Sequence, residues 1–588
     1  MSEQPTATRV LTQQHRRVKL AIAGLLVAHA ILCTHTALRM STTNDEFWHI
    51  PMGLWNLTHQ KFHYENLNPP LLRVLSSVPL WLAAAETGTV AEGADKETRA
   101  DAFVAANRDR YSQLVFLARL VPILISVLTG WVLAKWTGEL FGSAAALLAA
   151  AMWTLSPNVI AHASLVTTDI ASAGALLVVI RLAWKFAGAP SRATAVRLGL
   201  CIGLAQLIKF TFVLAYPSVV AVWLIRRVGS QEVERPGVLR CVAPGALIML
   251  IAILTTNAGY LFHGSFRPLQ TYEFQSQTMQ TISAVIAPLE ALPVPFPKDY
   301  VEGIDHQKHI MEGHHPVFLD GVMSQNGFPE YYVKTLWYKI PHATQFLFLL
   351  IPLAWLKRAS GSRQTRLQLV LLVPIVLLLC VASFSSMQLG LRYLLPAFPT
   401  SFVMASQIVS VGRRNSRVSR FIVVVVVLCL AAELRYHPHH LSYFNEWSGG
   451  PKSGHVHLID SNLDWGQGLI ELKEYIHERQ IEEYYLAYFG AVNPLDLGFQ
   501  FQTVPKASLP DTLVPELQPG VYVVSANLIL GRPGMVRTGE GDVINCNAYQ
   551  FSYFYFLKPT DRIGNSMWIF RVSAADISDL RLRIGRRQ

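Results

Sequence analysis

The sequence predicts a polytopic α-helical membrane protein that carries a small α/β domain at its C-terminal end. Two observations predict the membrane class. Charged residues are 15% and apolar residues 51% of the 588 positions, with a mean hydropathy of +0.31, whereas soluble chains contain about 25% charged residues. The apolar residues also form long, nearly uncharged runs such as 367–384 and 421–434, as a helix that crosses a bilayer requires.

The distribution of basic residues predicts how the chain is oriented. The net charge of +11 is concentrated in short connectors between apolar runs, which argues against a nucleic-acid partner and marks these connectors as cytoplasmic. The connectors contain Arg9, Arg16, Arg17 and Lys19; Lys185, Arg192 and Arg197; Arg226, Arg227, Arg235 and Arg240; Lys357, Arg358, Arg363 and Arg366; and Arg413, Arg414, Arg417 and Arg420.

About eleven membrane-spanning helices are expected from these runs. The first run follows basic residues and lacks a small-residue cleavage site, so we interpret it as a retained span and not as a signal peptide. The stretch 197–226 contains Lys209 near its middle, and its basic flanks favour two short spans that turn at Lys209 over one long helix. The expected spans lie near 20–39, 112–134, 142–160, 168–187, 197–209, 211–226, 241–262, 341–356, 367–386, 391–410 and 418–434.

Three long pieces are then predicted on the extracytoplasmic side, at 40–110, 263–340 and 435–588. The first contains two short apolar stretches that are typical of helices lying in the membrane interface; they cover 47–57 and 71–84. The last contains the strand-like sequences YYLAYF, VYVVSA and MWIFRV and a helical stretch at 466–479, which together indicate a small α/β domain. We therefore divide the chain into a membrane domain, 1–434, and an extracytoplasmic domain, 435–588.

One motif in the first outer piece suggests a function. The acidic pair Asp45 and Glu46 belongs to a DExxH pattern just beyond the first span, and an NPPLLR turn follows at 68–73. This combination resembles the GT-C superfamily of polyprenyl-phosphate-sugar-dependent glycosyltransferases. More narrowly, it is similar to bacterial relatives of protein O-mannosyltransferases and of the lipid A aminoarabinose transferase. Further similar segments are HASLVTTDIASAG (162–174), GLAQLIKF (203–210), the loop 313–341, GLRYLLPAFP (390–399), and 437–451 with 460–469.

The resemblance implies a GT-C type fold with its active site between the outer membrane surface and the interface helices. It also implies transfer of a sugar by single displacement from a polyprenyl phosphate to an acceptor hydroxyl. Asp45 occupies the position of the family's acceptor-side acid, and a carboxylate within hydrogen-bond reach of a hydroxyl is suited to act as general base. Glu46 is the neighbour that either supports Asp45 or takes its place. Asp169 occupies the position of the second acid, although a simple helix N-cap explains it equally well.

The donor side of such a site needs positive charge, because cleavage leaves negative charge on the lipid phosphate. Lys209 is the first candidate, since ionisable residues inside apolar stretches are rare and functional by default; the alternative is a lysine that extends to the nearest interface. Arg392 is the second, because its forked guanidinium suits phosphate. Lys339 is the third, and an ordinary interfacial lysine is the favoured alternative there.

Histidines extend the candidate site and raise the question of a metal. His49 lies four residues after Asp45, so both share one helix face if the stretch is helical, and His49 is expected to orient the aspartate or to contact substrate. His314, in the outer loop, is a further substrate-binding candidate. His306, His309 and Glu312 have a spacing that permits metal ligation, but a solvated histidine-rich loop is the favoured interpretation. A divalent metal ion is left open.

Two other classes of function stay open at this point. A transporter or flippase of lipid-linked glycans would also have many spans, but transporters are commonly built from repeats, and none is found. A membrane-anchored binding protein would not need so many spans. No GxGxxG or P-loop pattern supports a nucleotide-linked donor. The expected partners are a polyprenyl-phosphate sugar, an acceptor glycan, lipid or protein, and membrane lipids, with the protein in the cytoplasmic (inner) membrane.

Overall fold

Helices make up most of the chain before residue 437 in the computed structural model, which describes residues 4–227, 238–352, 363–410, 416–508 and 514–585. The helices of the first half are α1 (Gln4–Arg39), α2 (Asn44–His59), α3 (Leu71–Leu82), α4 (Lys96–Ala106), α5 (Tyr111–Phe141), α6 (Ser143–Thr154), α7 (Pro157–Ala163), α8 (Thr168–Gly188), α9 (Arg192–Gln206), α10 (Ala215–Arg227) and α11 (Val238–Gly259). Those that follow are α12 (Gln277–Val285), α13 (Lys298–Glu312), α14 (Tyr331–Lys339), α15 (His342–Leu349), α16 (Arg363–Ser383), α17 (Phe398–Ser406) and α18 (Ser416–Tyr436).

Six helices in the described part of the chain are long and apolar enough to cross a membrane, or seven if α6 and α7, which meet at a 60° bend, form one span. The expected count of about eleven is therefore not confirmed. Several predicted runs form shorter pieces: 197–209 lies in the 15-residue α9, and 391–410 begins with a 3₁₀ helix (Leu391–Ala397). The run 341–356 begins with the 8-residue α15 and continues beyond the described residues.

The predicted turn at Lys209 is present. Helix α9 ends at Gln206, and Lys209 caps a 3₁₀ helix (Phe210–Leu214) that leads into α10. The Leu207 carbonyl at this break accepts a hydrogen bond of 3.0 Å from the backbone N–H of Leu71, the first residue of α3. This contact places Lys209 beside the two predicted interface helices.

Those two interface helices correspond to α2 and α3, and they pack closely against each other. A Cβ added at Gly53 in α2 would lie 2.2 Å from the Arg73 carbonyl oxygen in α3, so only glycine permits this approach. At the start of α2, the Glu46 carboxylate accepts a hydrogen bond of 3.0 Å from the Thr43 backbone N–H, which satisfies one of the N–H groups that a helix start leaves unpaired. The chain thereby enters α2 in a fixed direction, with Asp45 in its first turn.

The C-terminal part contains the predicted sheet. The elements are β3 (Tyr485–Ala487), β4 (Gln502–Thr503), β5 (Gly520–Ser525), β8 (Asp561–Ile563) and β9 (Met567–Val572), with helices α19 (Leu469–Glu478), α20 (Ala526–Ile529) and α21 (Ala574–Gly585). The strands have the order β4-β3-β5-β9-β8, with parallel pairing of β3 to β4 and β5 and antiparallel pairing of β9 to β5 and β8. The predicted sequences YYLAYF, VYVVSA and MWIFRV overlap β3, β5 and β9, respectively. Two hairpins lie outside the sheet, β1 (Val317–Leu319) with β2 (Val322–Ser324) and β6 (Gly534–Arg537) with β7 (Val543–Cys546).

The C-terminal part is joined to the first outer piece by backbone hydrogen bonds and by a shared core. The Ser41 and Asn44 N–H groups each donate at 3.0 Å to the carbonyls of Gln467 and Trp465, respectively. One buried apolar cluster combines strands of the sheet with residues from 317–332 and with Leu394. The division into domains at residue 434 stays a prediction, because this packing crosses it.

The interpretation of His306, His309 and Glu312 as part of a solvated loop is wrong. These residues lie on α13, a 15-residue helix. A Cβ at Gly303 in this helix would lie 2.5 Å from the Asn66 carbonyl oxygen and 2.4 Å from the Phe210 ring. Gly303 disfavours a helix by its intrinsic propensity, but it permits the close packing of α13 against Asn66 and Phe210.

The predicted orientation can be tested with single cysteines in a variant that lacks the six native cysteines. Arg358 and Arg413, both predicted on the cytoplasmic side, lie outside the described residues, so we choose exposed positions within them. We expect a membrane-impermeant thiol reagent to label Lys558→Cys in sealed right-side-out membranes, and Lys185→Cys only after permeabilisation, because basic connectors stay in the cytoplasm. The opposite labelling pattern would show that the predicted orientation in the membrane is wrong.

Candidate active site

A cavity of about 370 Å³ opens at the start of α2, between this helix and the C-terminal part. Its walls come from α2, α4, the turn before Arg392, and the segments around Trp465, Phe489 and Arg532. The polar and charged side chains that line it are Asn44, Asp45, Glu97, Thr98, Asp101, Arg392, Asp460, Arg532 and Arg537. The cavity thus collects groups from distant parts of the sequence around Asp45.

Asp45 and Arg392 form an ion pair in the wall of this cavity. Arg392 Nη1 donates to Asp45 Oδ2 at 2.7 Å, and the Asp45 side chain is 25% exposed. The guanidinium carbon of Arg392 lies 4.4 Å from the centre of the Trp465 ring, a distance typical of a cation–π contact. Arg392 Nε is buried and has no hydrogen-bond partner among the described residues. Its N–H group is therefore available to donate a hydrogen bond.

A second ion pair lies behind that wall. Lys209 Nζ donates to Asp169 Oδ1 at 3.1 Å, and both residues are buried. The His162 imidazole lies near the same carboxylate, with Nδ1 3.9 Å from Asp169 Oδ2. The N-cap residue of α8 is Thr167 and not Asp169, which lies in the first turn of the helix and directs its carboxylate to the lysine. This geometry favours the site interpretation of Asp169 over the simple N-cap.

Aromatic rings bring the two ion pairs together. Lys209 Nζ lies 5.1 Å and the Arg392 guanidinium 5.7 Å from the centre of the Tyr393 ring. The ring of His162 lies 6.2 Å from that of Trp465, which also contacts Arg392. Asp45, Asp169, Lys209 and Arg392 therefore form one cluster of two acids and two cations. We call these four residues the charged cluster.

Glu46 does not line the cavity; it forms the buried ion pair that holds the start of α2. Arg119 donates from Nε and Nη2 to the two Glu46 oxygens at 2.8 and 2.6 Å, and Glu46 also accepts the Val166 N–H at 2.9 Å. Burial favours the neutral acid, but Arg119 and the backbone donors lower the pKa of Glu46 below its usual value. With both oxygens occupied, Glu46 has no position from which to accept an acceptor's proton.

His49 likewise contacts the protein interior, although it shares α2 with Asp45. Its Nδ1 lies 2.9 Å from the Val166 carbonyl oxygen, to which it is suited to donate, and its Nε2 lies 3.4 Å from Asn68 Nδ2. These contacts connect α2 with the turn before α8 and with the NPPLLR turn. In this structure His49 neither contacts Asp45 nor lines the cavity.

Lys339 and His314 lie outside the charged cluster. Lys339 Nζ is buried and donates to the carbonyls of Leu441 and Asn462 at 2.9 and 2.7 Å, and burial lowers its pKa well below the usual value. His314 is exposed, with Nδ1 3.0 Å from Asn326 Oδ1. Lys339 therefore joins two backbone segments. This contact differs from both sequence interpretations, a lysine that binds the donor phosphate and an ordinary interfacial lysine.

Four residues around the site were not singled out in the sequence. Tyr393, His162 and Trp465 lie inside the similar segments 390–399, 162–174 and 460–469, so their position in those segments was the available signal. Arg119 lies in an otherwise apolar run and is 1% exposed; its signal was the rarity of an ionisable residue in such a run, the argument that identified Lys209.

A family model for dolichyl-phosphate-mannose-protein mannosyltransferases matches residues 112–255. This range contains Asp169 and Lys209 but neither Asp45 nor Arg392. The match confirms, over these residues, the resemblance to glycosyltransferases that use lipid-linked sugars. No curated protein sequence matches the chain.

Similar solved structures include ArnT and an archaeal oligosaccharyltransferase. The crystal structure of ArnT from Cupriavidus metallidurans bound to undecaprenyl phosphate has 14% sequence identity and a TM-score of 0.43, and the similarity covers 94% of this chain and 98% of that chain. The Archaeoglobus fulgidus oligosaccharyltransferase AglB, in complex with an inhibitory peptide and a dolichol-phosphate, has 12% identity and a TM-score of 0.43, with 90% and 74% covered.

Proposed function

We propose that this protein transfers a sugar from a polyprenyl-phosphate-linked donor to an acceptor hydroxyl, at the extracytoplasmic face of the cytoplasmic membrane. The observation that carries the proposal is the charged cluster at the wall of a cavity beside the predicted interface helices. The partly exposed carboxylate of Asp45 is paired there with Arg392. A second cation, Lys209, lies behind the wall and faces the same Tyr393 ring as Arg392. These are the groups that a base-assisted displacement from a lipid phosphate needs.

Asp45 acts as the general base in this proposal. Its carboxylate lines the cavity, and Arg392 holds only one of its oxygens, Oδ2. Within the described parts of the chain, Oδ1 makes no hydrogen bond, so this oxygen is open to an acceptor hydroxyl. The acceptor oxygen forms a bond to the anomeric carbon as its proton passes to Asp45. A base at this position would contribute a factor of about 10²–10⁴ to the rate.

Arg392 and Lys209 stabilise the leaving group. As the bond from the anomeric carbon to the phosphate oxygen breaks, its electron pair stays on the lipid phosphate. Both cations face the Tyr393 ring, and the unpartnered Nε of Arg392 gives the guanidinium a donor for a phosphate oxygen. Charge-assisted hydrogen bonds of this kind are about twice as strong as neutral ones. Because the phosphate leaves directly, the configuration at the anomeric carbon is inverted.

Asp169 is a positioning residue in this mechanism. Its carboxylate accepts from Lys209 Nζ at 3.1 Å and is itself buried, so it contacts the cation and not the acceptor. An unpaired lysine in this position would have an unfavourable charge in the absence of donor. The pair keeps Lys209 oriented toward Tyr393 until the donor phosphate binds.

Substitutions of the two cations test the donor side. We expect Arg392→Ala and Lys209→Ala each to weaken binding of a polyprenyl-phosphate sugar and to lower its turnover, because each removes a cation that would contact the phosphate. Arg392→Lys keeps the charge but loses the fork, so we expect an intermediate effect. The measurements are donor affinity and transfer rate of the purified protein, with acceptor present in the second assay.

A control separates this effect from a general change of surface charge. Lys334→Ala removes an exposed cation that pairs with Asp320 and should leave donor affinity unchanged. The Asp169 carboxylate is left unpaired in Lys209→Ala, so the double variant Lys209→Ala/Asp169→Asn is measured beside it. If the folded variants of Arg392 and Lys209 all turn over donor at the wild-type rate, the proposed donor site is wrong.

A further inference from the structure

Three side chains at the end of the last apolar helix point their ligand atoms at one another. Glu433 lies in the final turn of α18, and His437 and His440 follow just beyond its end. Glu433 and His440 are completely buried, and the His437 side chain is 20% exposed. None of the three lines the cavity that contains Asp45. This group, which we call the Glu–His cluster, is a feature that the proposed transfer reaction does not use.

The Glu–His cluster leaves buried polar atoms without hydrogen bonds. Neither carboxylate oxygen of Glu433 accepts a hydrogen bond from a described residue, and His440 Nδ1 has no partner either. His440 Nε2 lies 3.0 Å from Glu433 Oε1 but not in hydrogen-bond geometry. A buried carboxylate without partners is costly, and buried carboxylates are commonly paired with a cation or coordinated to a metal. The unpartnered oxygens are therefore suited to bind a cation.

The spacing of the three ligand atoms suits a small divalent ion. His437 Nδ1 lies 2.9 Å from His440 Nε2 and 4.0 Å from Glu433 Oε1, and the third separation is the 3.0 Å given above. Bonds of 2.0–2.1 Å in tetrahedral geometry would separate ligand atoms by about 3.3 Å. Two imidazole nitrogens and one carboxylate oxygen are a ligand set found in zinc sites. Movements of a few tenths of an ångström would bring all three atoms into place.

A second histidine contact orients one of these ligands. His437 Nε2 lies 2.7 Å from Nδ1 of His35, near the end of α1, and the two rings stack at 4.7 Å between centres. Histidines that bind a metal through one nitrogen almost always hydrogen-bond a partner through the other, which fixes the ring orientation. His35 occupies this position, with the hydrogen bond on the side of the His437 ring away from the other two ligand atoms.

We propose that Glu433, His437 and His440 bind one divalent metal ion of the zinc type, at a site separate from the charged cluster. The ion would neutralise the buried carboxylate and join the end of α18 to the turn that leads into the C-terminal part. Through His35 the site also contacts the end of α1. Its burial suits an ion that stabilises the fold and does not take part in transfer.

The metal content of the full-length protein tests the proposal. The protein in detergent is stripped with a chelator, reloaded with zinc chloride and desalted, and zinc per chain is measured by mass spectrometry. We expect His437→Gln and Glu433→Gln to hold one zinc fewer per chain than the wild type. His439→Gln is the matched control, because this neighbouring histidine is outside the Glu–His cluster, with its Nδ1 3.7 Å from Glu471 Oε2. The control variant should keep the zinc content of the wild type. Cobalt in place of zinc should give the visible spectrum of a low-coordinate ion in the wild type and the control only.

The change in Tm on adding zinc distinguishes a lost metal site from a variant that fails to fold. Zinc should raise the Tm of the stripped wild type and the His439→Gln variant but not that of His437→Gln, which changes the least buried ligand. We also expect His35→Ala to weaken zinc binding by about 10–100-fold, the usual effect of losing a partner of a metal-bound histidine. Equal zinc content and equal Tm shifts in all variants would overturn the proposal and leave the cluster as an unmetallated contact among histidines and Glu433.

Discussion

We expect the Asp45→Asn variant to transfer sugar about 10²–10⁴-fold more slowly than the wild type, with donor binding largely intact. Asparagine preserves the shape of the side chain and can still accept a hydrogen bond from Arg392, but it cannot take the acceptor's proton. The measurement is turnover of a lipid-linked sugar with acceptor by purified protein, with donor affinity measured separately. The anomeric configuration of the product, expected to be inverted, is read from the same reaction.

The control for Asp45→Asn has to be a second carboxylate on the same cavity. Glu97→Gln fits, because Glu97 lines the cavity and makes no ion pair among the described residues; we expect near-normal turnover. Glu46→Gln is unsuitable, since Glu46 is buried against Arg119 and its loss acts on folding. Full activity of Asp45→Asn would refute the proposed base, and an equal loss in Glu97→Gln would reassign the effect to the charge of the cavity.

The second large effect is expected on the stability of the protein, when the buried ion pair of Glu46 and Arg119 is broken. Glu46→Gln should lower the free energy of unfolding by about 3–5 kcal/mol, the cost of leaving one charge of a buried pair uncompensated. Arg119 also donates to the carbonyls of Ala37, Met40 and Ser41 at 2.6 to 2.8 Å, so its position fixes the chain between α1 and α2. Chemical unfolding of the protein in detergent, followed by fluorescence, measures the change.

A double variant distinguishes the loss of charge balance from the loss of packing. Replacing both partners, as in Glu46→Gln/Arg119→Met, removes the unpaired charge and should be less damaging than the sum of the single changes. An exposed pair on α21, changed as Arg583→Gln/Asp579→Asn, provides the reference. We expect this change to lower the free energy of unfolding by at most about 1 kcal/mol. A Glu46→Gln variant as stable as this reference would show that the buried pair does not hold the start of α2.

The sequence predicted the individual residues of the charged cluster better than their arrangement. Asp45 and Asp169 were named as site candidates because of their positions in the family resemblance. Lys209 was named because cations in apolar stretches are rare, and Arg392 because its forked guanidinium suits phosphate. Which acid pairs with which cation depends on contacts between segments as much as 347 residues apart, and no local pattern encodes them. For the same reason the sequence could not separate Asp45, which lines the cavity, from Glu46, which is buried.

Elements of the fold were predictable where one periodicity dominated. Three strands of the sheet were found because their sequences are strand-like, and α2 and α3 were found because their apolar stretches are too short to span a bilayer. The span count was not, because composition alone does not tell a membrane-crossing helix from a short or broken one such as α9 or the segment from Leu391. Helix α13 was missed because Gly303, a poor helix former, is retained there for packing against Phe210 and Asn66.

The hydrogen bonds from Ser41 and Asn44 to Gln467 and Trp465 have a consequence for how the protein is made. Glu46 meets Arg119 after only 73 further residues, so the start of α2 can be anchored early in synthesis. Arg392 and Trp465 emerge from the ribosome much later, and ordering contacts over such long separations is slow. For most of translation, Asp45 therefore lacks its ion-pair partner Arg392 and the wall of the cavity that the C-terminal part forms. The cavity around Asp45 is thus completed only in the last stage of synthesis, after most of the chain has been made.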